Sequence, residues 1–306
     1  MEKIKIFAPA TVANVSCAFD VLGFPLQETG DVMTFLKTSE TGVKIRMLGN
    51  SNLPTEAERN VAGVVALAML ERKSSGFGVE IEIDKRIKPG SGIGSSAASA
   101  AGAAFGMNLI LGEVFNQNEL IEFAMLGEKL ASGVAHADNV APCITGGFAL
   151  VRSYEPLDVI RIESPDELYV TILHPQIEVK TSDSRRVLKK ELPLKTAVKQ
   201  WGNIASLISA LHTSDYELLG RSLEDIIIEP IRSVFIPLFY EVKQAAKDAG
   251  TLGSGISGSG PSIFALSKGL ETATKAAEAM KKVYAQTDIE FDIHVSKIAA
   301  TGCRLF

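Results

Sequence analysis

The sequence is poor in cysteine and positive charge, and each shortage excludes something. Three cysteines, Cys17, Cys143 and Cys303, stand among 306 residues with no CxxC spacing. That count indicates neither a disulfide framework nor a thiolate metal site, and it reads as free thiols in a reducing compartment. The four histidines, His136, His174, His212 and His294, show no metal-binding spacing and read as structural. Thirty-one Lys and Arg against 36 Asp and Glu leave a net charge of −5. Such a surplus excludes duplex nucleic acid as the main partner, because phosphate neutralisation needs clustered basic residues. No run of strongly apolar residues reaches the ~20 of a membrane span. The longest low-charge stretch, residues 87–111, is rich in Gly, Ser and Ala. The opening residues MEKIKIFAPATVANV lack the apolar core of a signal peptide. The expectation is a soluble, cytoplasmic protein with no nucleic-acid or membrane partner.

What is present is enough to fold. Hydrophobic residues make up 46% and charged residues 22%, and the length suits two domains of ~150 residues. Strand patterns fall at 4–8, 32–37, 43–48 and 77–84, the last (FGVEIEID) alternating apolar and acidic residues as a half-solvated strand does. Residues 60–72 read as an apolar helix, 96–111 as a helix of small residues, and Asn116-x-x-Glu119 as the capping box of a helix ending near Gly133. Further strands are expected at 147–152, 157–163, 168–173, 262–266 and 289–298, and helices at 183–190, 196–213, 215–227, 233–249 and 270–284. The elements mix without a regular βαβ rhythm, so the class is α+β rather than a doubly wound sheet. A boundary is expected near Tyr154–Pro156.

The 26 glycines are only slightly above the usual ~7%, but they are clumped. Pro89, Gly90, Ser91, Gly92, Ile93, Gly94, Ser95 and Ser96 lead directly into the small-residue helix. Glycines let backbone N–H groups converge on one point, and the start of a helix adds partial positive charge, so the natural guest is a polyphosphate. Ser95 and Ser96 stand where a hydroxyl meets a phosphate oxygen or a bound Mg²⁺. No Gly-Lys-Ser/Thr ending follows, which excludes a Walker A loop, and Gly90-x-Gly92-x-Gly94 is not the dinucleotide fingerprint. A glycine-rich turn into a close-packed helix is the alternative reading of these residues alone.

The string PGSGIGSSAASAAG resembles the ATP-binding motif of the GHMP kinases, small-molecule kinases acting on galactose, homoserine, mevalonate and phosphomevalonate. Residues 8–26 (APATVANVSCAFDVLGFPL) resemble that family's N-terminal motif, and 253–262 (GSGISGSGPS) its C-terminal glycine motif. The details look like the family's homoserine-phosphorylating branch. They match at Pro9, Asn14, Phe19, Asp20, Gly23 and Leu26, at His136-Ala-Asp138-Asn139-Val-Ala-Pro142, at Thr181 and Arg185, and at Asp225, Glu229, Pro230 and Arg232. Departures at Cys17, Ile93, Ala137 and Lys189 remove no charged or hydrogen-bonding group.

The resemblance implies a two-domain GHMP-kinase-like fold. A ribosomal-S5-domain-2-like domain would occupy 1–155 and bind nucleotide, and a ferredoxin-like domain would occupy 156–306 and complete the substrate site. It implies ATP and Mg²⁺, transfer of phosphate to the hydroxyl of L-homoserine on the way to threonine, and a homodimer. The implied Mg²⁺ ligands are Ser96 and Glu128. Asn60 would approach the nucleotide base and Lys88 the phosphates. Asn14 and Asn139 would hydrogen-bond the acceptor hydroxyl, and Asp138 would serve either as its base or in charge positioning. Arg185 and Arg232 supply bidentate forks for a carboxylate and Asp20 a partner for an ammonium, with Thr181 and Gly258 beside them. The alternatives are a related kinase of another alcohol, such as mevalonate, and a non-catalytic ATP-binding regulator.

Overall fold

The structure, a computed structural model, describes residues 2–49, 52–179 and 181–306. In chain order its elements begin with β1 (Lys3–Ala13), β2 (Leu22–Thr38) and β3 (Gly42–Leu48). Then come α1 (Val61–Lys73), β4 (Gly78–Asp84), α2 (Ser95–Leu111), α3 (Gln117–Ser132), α4 (Val140–Thr145), β5 (Phe148–Tyr154) and β6 (Leu157–Ile162). The remainder comprises β7 (Leu168–Pro175), α5 (Thr181–Arg186), α6 (Leu194–Thr213), α7 (Tyr216–Ser222), α8 (Glu229–Arg232) and α9 (Phe239–Asp248). The chain finishes with β8 (Gly253–Ile256), β9 (Ile263–Lys268), α10 (Leu270–Tyr284), β10 (Phe291–Lys297) and β11 (Arg304–Leu305).

Two sheets organise these elements. The first has the order β11-β1-β2-β4-β3, with β5 added to β2 and β6 to β5. β3 and β4 are parallel, which α1 allows by crossing over between them. The second sheet, β10-β7-β9-β8, is antiparallel throughout. Its strands and helices run β-α-β-β-α-β with order 4-1-3-2, the ferredoxin-like arrangement. Phe24 of the first sheet meets Phe148 at 5.0 Å and Phe264 of the second at 6.5 Å between ring centroids. Burying each ring contributes roughly 1.5–3 kcal/mol, so these aromatics help fix one sheet against the other. The expected boundary at 155/156 falls in the turn of the β5–β6 hairpin. The first sheet therefore takes strands from both sides of it, and recovers β11 from the end of the chain.

α2 is buried along most of its length, and its small residues explain how. A Cβ on Gly106 would lie 2.3 Å from the Phe35 ring, and one on Gly127 of α3 would lie 2.8 Å from Ala100. Small side chains let α2 pass between the sheet and its neighbouring helices. The α3 capping box is present: Asn116 Oδ1 accepts from Glu119 N at 3.1 Å, and Glu119 Oε2 accepts from Asn116 N at 2.9 Å.

Several segments differ from the sequence expectation; the helix expected over 183–190 ends at Arg186 and that expected over 233–249 begins at Phe239. β2 begins at Leu22 because pairing with β1 and β5 overrides its Gly and Pro content. Residues 253–256, read as loop, form β8 against β9. Residues 140–145 form α4. The helix expected over 215–227 stops at Ser222, because Asp225 draws the following N–H groups onto its own carboxylate: Ile227 at 2.9 Å, Ile228 at 3.0 Å and Glu229 at 2.8 Å. Asp side chains compete with helix in this way. Among the described residues no helix is long and apolar enough to cross a membrane.

Candidate active site

A cavity of about 650 Å³ opens at the amino end of α2 and is lined from both sheets' connections. Gly90, Gly92 and Gly94 adopt φ of 72°, 80° and 69°, so the loop needs residues without Cβ at these turns. Gly94 begins α2 with no capping side chain, which leaves the first-turn amides available to an anion. The loop's carbonyls are taken up elsewhere. Ser257 Oγ donates to Gly92 O at 2.7 Å, Ser262 Oγ to Ser91 O at 2.6 Å, and Thr11 N to Ile93 O at 3.1 Å. The C-terminal glycine motif therefore clasps the phosphate loop. A Cβ on Gly92 would lie 2.6 Å from Gly260 O.

Pro89, Gly90, Ser91, Gly92, Gly94, Ser95 and Ser96 all line the cavity. Two of the expected hydroxyls are committed elsewhere: Ser95 Oγ donates to Ile87 O at 2.9 Å, and Ser91 Oγ accepts from Ile93 N at 3.4 Å. Of the two serines at the helix start, Ser96 is the one left to act. Ile93 is buried in the core and does not line the cavity. Lys88 also lies off the lining, with its ammonium bonded to Gln176. Asn60 lines it, but its carboxamide is occupied as the cap of α1. Oδ1 accepts from Ala62 N at 2.9 Å and Gly63 N at 3.3 Å, and Nδ2 donates to Pro54 O at 2.6 Å. Asn60 thus shapes the wall formed with Met47, Leu53, Pro54 and Val61.

Two buried carboxylates face the loop. Glu128 projects from α3, is buried, and its Oε1 has no partner. Burial pushes its carboxyl above the usual range, while the Ser96 hydroxyl and the Lys85 ammonium pull it back. Mg²⁺ takes hard oxygen ligands and relies on one or two carboxylates plus phosphates. An orphaned carboxylate oxygen beside the Ser96 hydroxyl fits that ion. Among the described residues no cluster of three His, Cys, Asp or Glu offers a complete protein cage, so phosphate oxygens would complete the shell. Asp138, just before α4, is buried, and its carboxyl is raised to about 7 by burial first and then by the charges of Asp20 and Glu128. Asn139 Oδ1 accepts from Thr11 Oγ1 at 2.7 Å.

The far end of the cavity is built for opposite charges. Arg185 of α5 meets Asp20 at 2.6 Å. Arg232 of α8 is buried and donates to Gly258 O at 3.1 Å and Ser184 O at 3.3 Å. The Phe19 ring carries both guanidinium carbons, at 5.3 and 5.0 Å, a cation–π arrangement. Burial and the neighbouring Arg185 lower Arg232 to about 10, and Arg185 Nε is buried without a partner. Two adjacent cations with an unused donor call for an anion between them. Asn14 holds the frame: Oδ1 accepts from Asp20 N at 3.0 Å and Nδ2 donates to Gly258 O at 2.7 Å. Its amide is therefore engaged rather than free for a hydroxyl. Thr181 Oγ1 lies 3.3 Å from Ser259 Oγ, and Gly258, with φ of 56°, brings backbone against Gly92.

Three residues at the site have no role there assigned from the sequence, where His136 reads as structural. His136 lines the cavity with Nε2 unpartnered; burial and Arg185 hold its pKa below the ordinary value. Its position two residues before Asp138 was the available signal. Lys85, 4% exposed, pairs with Asp31 and donates to Ser95 O at 2.5 Å, anchoring the first turn of α2. Tyr154 Oη donates to Asp20 O at 3.0 Å and accepts from Ala137 N at 3.4 Å, stapling two site loops together. Neither Lys85 nor Tyr154 belongs to a motif.

Residues 60–147 match the family model described as GHMP kinases N terminal domain, and residues 207–286 match GHMP kinases C terminal. The chain belongs to the GHMP kinases. Within that family it is similar over its full length to homoserine kinases. It is 45% identical over 318 aligned residues to the homoserine kinase of Chloroherpeton thalassium, covering 100% of both chains. It is 42% identical to that of Methanococcus vannielii, over 93% of this chain and 94% of the other. The crystal structure of the Cytophaga hutchinsonii homoserine kinase superposes with a TM-score of 0.96 at 49% identity, covering 100% of this chain and 98% of that one.

Proposed function

We propose that this chain transfers the γ-phosphoryl group of ATP to the side-chain hydroxyl of L-homoserine, giving O-phospho-L-homoserine and ADP in threonine biosynthesis. The observation that carries the proposal is the charge order inside one cavity. A helix amino end and glycine loop for polyphosphate stand at one end, Asp20 with Arg185 and Arg232 for an amino acid at the other, and Asp138 between the motifs. The relatives' names support the same acceptor.

The chemistry follows from those parts. The first-turn amides of α2 hold the phosphates and offset charge that develops on the transferring group. Glu128 and Ser96 would hold Mg²⁺, which would supply charge neutralisation on the phosphate oxygens. Arg185 and Arg232 fork the homoserine carboxylate, Asp20 takes its ammonium, and the tether leaves the hydroxyl pointing back towards Asp138 and Asn139. The hydroxyl oxygen forms the new bond to the γ-phosphorus as the bond to the β,γ-bridging oxygen breaks. Asp138, raised to about 7, accepts the hydroxyl proton with a pKa suited to neutral conditions. We place the enzyme in the cytoplasm, where ATP is abundant and its three free thiols stay reduced.

The test is ADP release from purified protein with Mg²⁺ and ATP across homoserine, mevalonate, galactose and shikimate. Homoserine should turn over at least ~10-fold more efficiently than the others, since mevalonate leaves the Asp20 carboxylate without its ammonium. Preference for another alcohol would overturn the acceptor and keep the kinase. ATP binding without any phosphorylated product would overturn both.

A further inference from the structure

The two ends of the amino-acid site lie on segments far apart in sequence, and besides Asn14 at the cavity wall a second buried side chain, behind the site, joins them. Gln200 of α6 is 5% exposed. Its Nε2 donates to Cys17 O at 2.8 Å and to Asp225 Oδ1 at 3.0 Å, and its Oε1 accepts from Ile226 N at 3.2 Å. The other buried residues of α6 are Leu207, Ala210 and Leu211, all apolar. A buried carboxamide is costly unless its groups are paired. An apolar side chain of the same size would fill the space, so the bonds themselves need a reason.

Both partners of Gln200 lead to substrate-binding groups. Cys17 sits in the loop of residues 14–20, where Asn14, Val15, Ser16 and Asp20 have φ of 72°, 35°, 62° and 61°. Left-handed backbone at four non-glycine residues persists only where surrounding contacts over-determine it. Gln200 supplies one such contact in the middle of that loop, three residues from Asp20. On its other side, Asp225 collects the N–H groups of Ile227, Ile228 and Glu229. Those bonds set the start of α8, whose four residues end at Arg232. Gln200 and Asp225 do not themselves line the cavity.

We propose that Gln200 is a positioning residue that, through Cys17 O and Asp225, sets the separation between the ammonium-binding Asp20 and the carboxylate-binding Arg232. The inference rests on the homoserine reading of that site. It assigns Asp225 the matching part on the α8 side, and it makes the pair a ruler for the length of the amino-acid headgroup. Loss of the ruler loosens acceptor binding and leaves the nucleotide end, built on α2 and the glycine clasp, as it was.

The test compares wild type with Gln200→Met, Asp225→Asn and the double variant, by steady-state kinetics with homoserine and ATP varied in turn and by calorimetric titration of ATP. Met keeps the volume of Gln200 without its bonds, and Asn at 225 keeps the shape but turns a donor towards Glu229 N. Each single variant is expected to raise KM for homoserine by about 10-fold or more, with KM and Kd for ATP within about twofold, and the double variant should equal the larger single, because both cut one joint. Equal rises in the two KM values, no rise in KM for homoserine, or additive effects would overturn the assignment. So would loss of the folded protein in both single variants, which would make the joint a folding element. Failure of wild type to phosphorylate homoserine removes the functional reading instead, and is seen before any variant is made.

Discussion

Replacing Asp138 with Asn should make the ligand-free protein more stable and much less active, and the gain should depend on pH. The carboxyl moves from 3.8 in the unfolded chain to about 7 in the native state, because it is buried and faces the charges of Asp20 and Glu128. A raised native pKa means that, between these values, the native state binds more protons than the unfolded state. Stability therefore falls as pH rises through this window, and the loss is complete above about pH 7. Each pH unit costs about 1.4 kcal/mol, so the full span gives ~4 kcal/mol at most, and we expect about 2–4 kcal/mol. Asn has nearly the same shape and no charge to desolvate. Urea unfolding of wild type and Asp138→Asn at pH 4 and pH 8 should show the variant's relative stability rising by that amount at the higher pH. The same protein should lose about 10²–10⁴-fold in kcat with homoserine, as expected when a general base is removed. A stability difference that is the same at both pH values would refute the electrostatic reasoning. An unchanged kcat would remove Asp138 as the proton acceptor.

Two further outcomes are expected. Gly92→Ala, with φ of 80° and a Cβ 2.6 Å from Gly260 O and 2.8 Å from Ser257 O, should open the clasp, cost about 1–2 kcal/mol from backbone strain alone, and raise KM for ATP at least ~10-fold; Gly76→Ala, which meets nothing within 4 Å, is the neutral control, and equal melting temperatures for the two would refute the clasp. Asp20→Asn should raise KM for homoserine by about 10–100-fold, the worth of a charged hydrogen bond, and leave ATP binding unchanged, as followed by coupled ADP release; a matching loss with alcohols that lack an amine would show that Asp20 acts on the fold instead.

Local signals carried much of this molecule. The run of Gly, Ala and Ser over 90–106 announced both an anion-binding loop and a helix that must pack tightly, and Asn116 and Glu119 announced the start of α3. Each is a property of neighbours in sequence. What stayed hidden depends on distant partners. Lys85 and Asp31 form a buried pair across 54 positions. Nothing near His136 indicates that burial and Arg185 will lower its pKa, and nothing near Asn60 indicates that its amide will be consumed in capping α1 and holding Pro54. The same holds for Ser95, whose hydroxyl is drawn away by Ile87 O, and for Leu22–Gly30, where strand state comes from the strands on either side. Motifs named the residues near the substrates; the backbone partners that hold those residues were set by tertiary contact.

The clasp between the two glycine motifs also sorts polarity. A flexible glycine loop displays as many carbonyl oxygens as amide hydrogens, and towards a polyphosphate the two cancel. Here serine hydroxyls from the chain's last third absorb the oxygens of Ser91 and Gly92, while a threonine-bearing strand absorbs that of Ile93. The side left facing the cavity is that of the amides, with Lys85 drawing off the oxygen of Ser95. Anion selectivity in this loop is consequently shared across the chain: the N-terminal half alone would keep the sequence of the loop and lose the serine donors that cover the oxygens of Ser91 and Gly92.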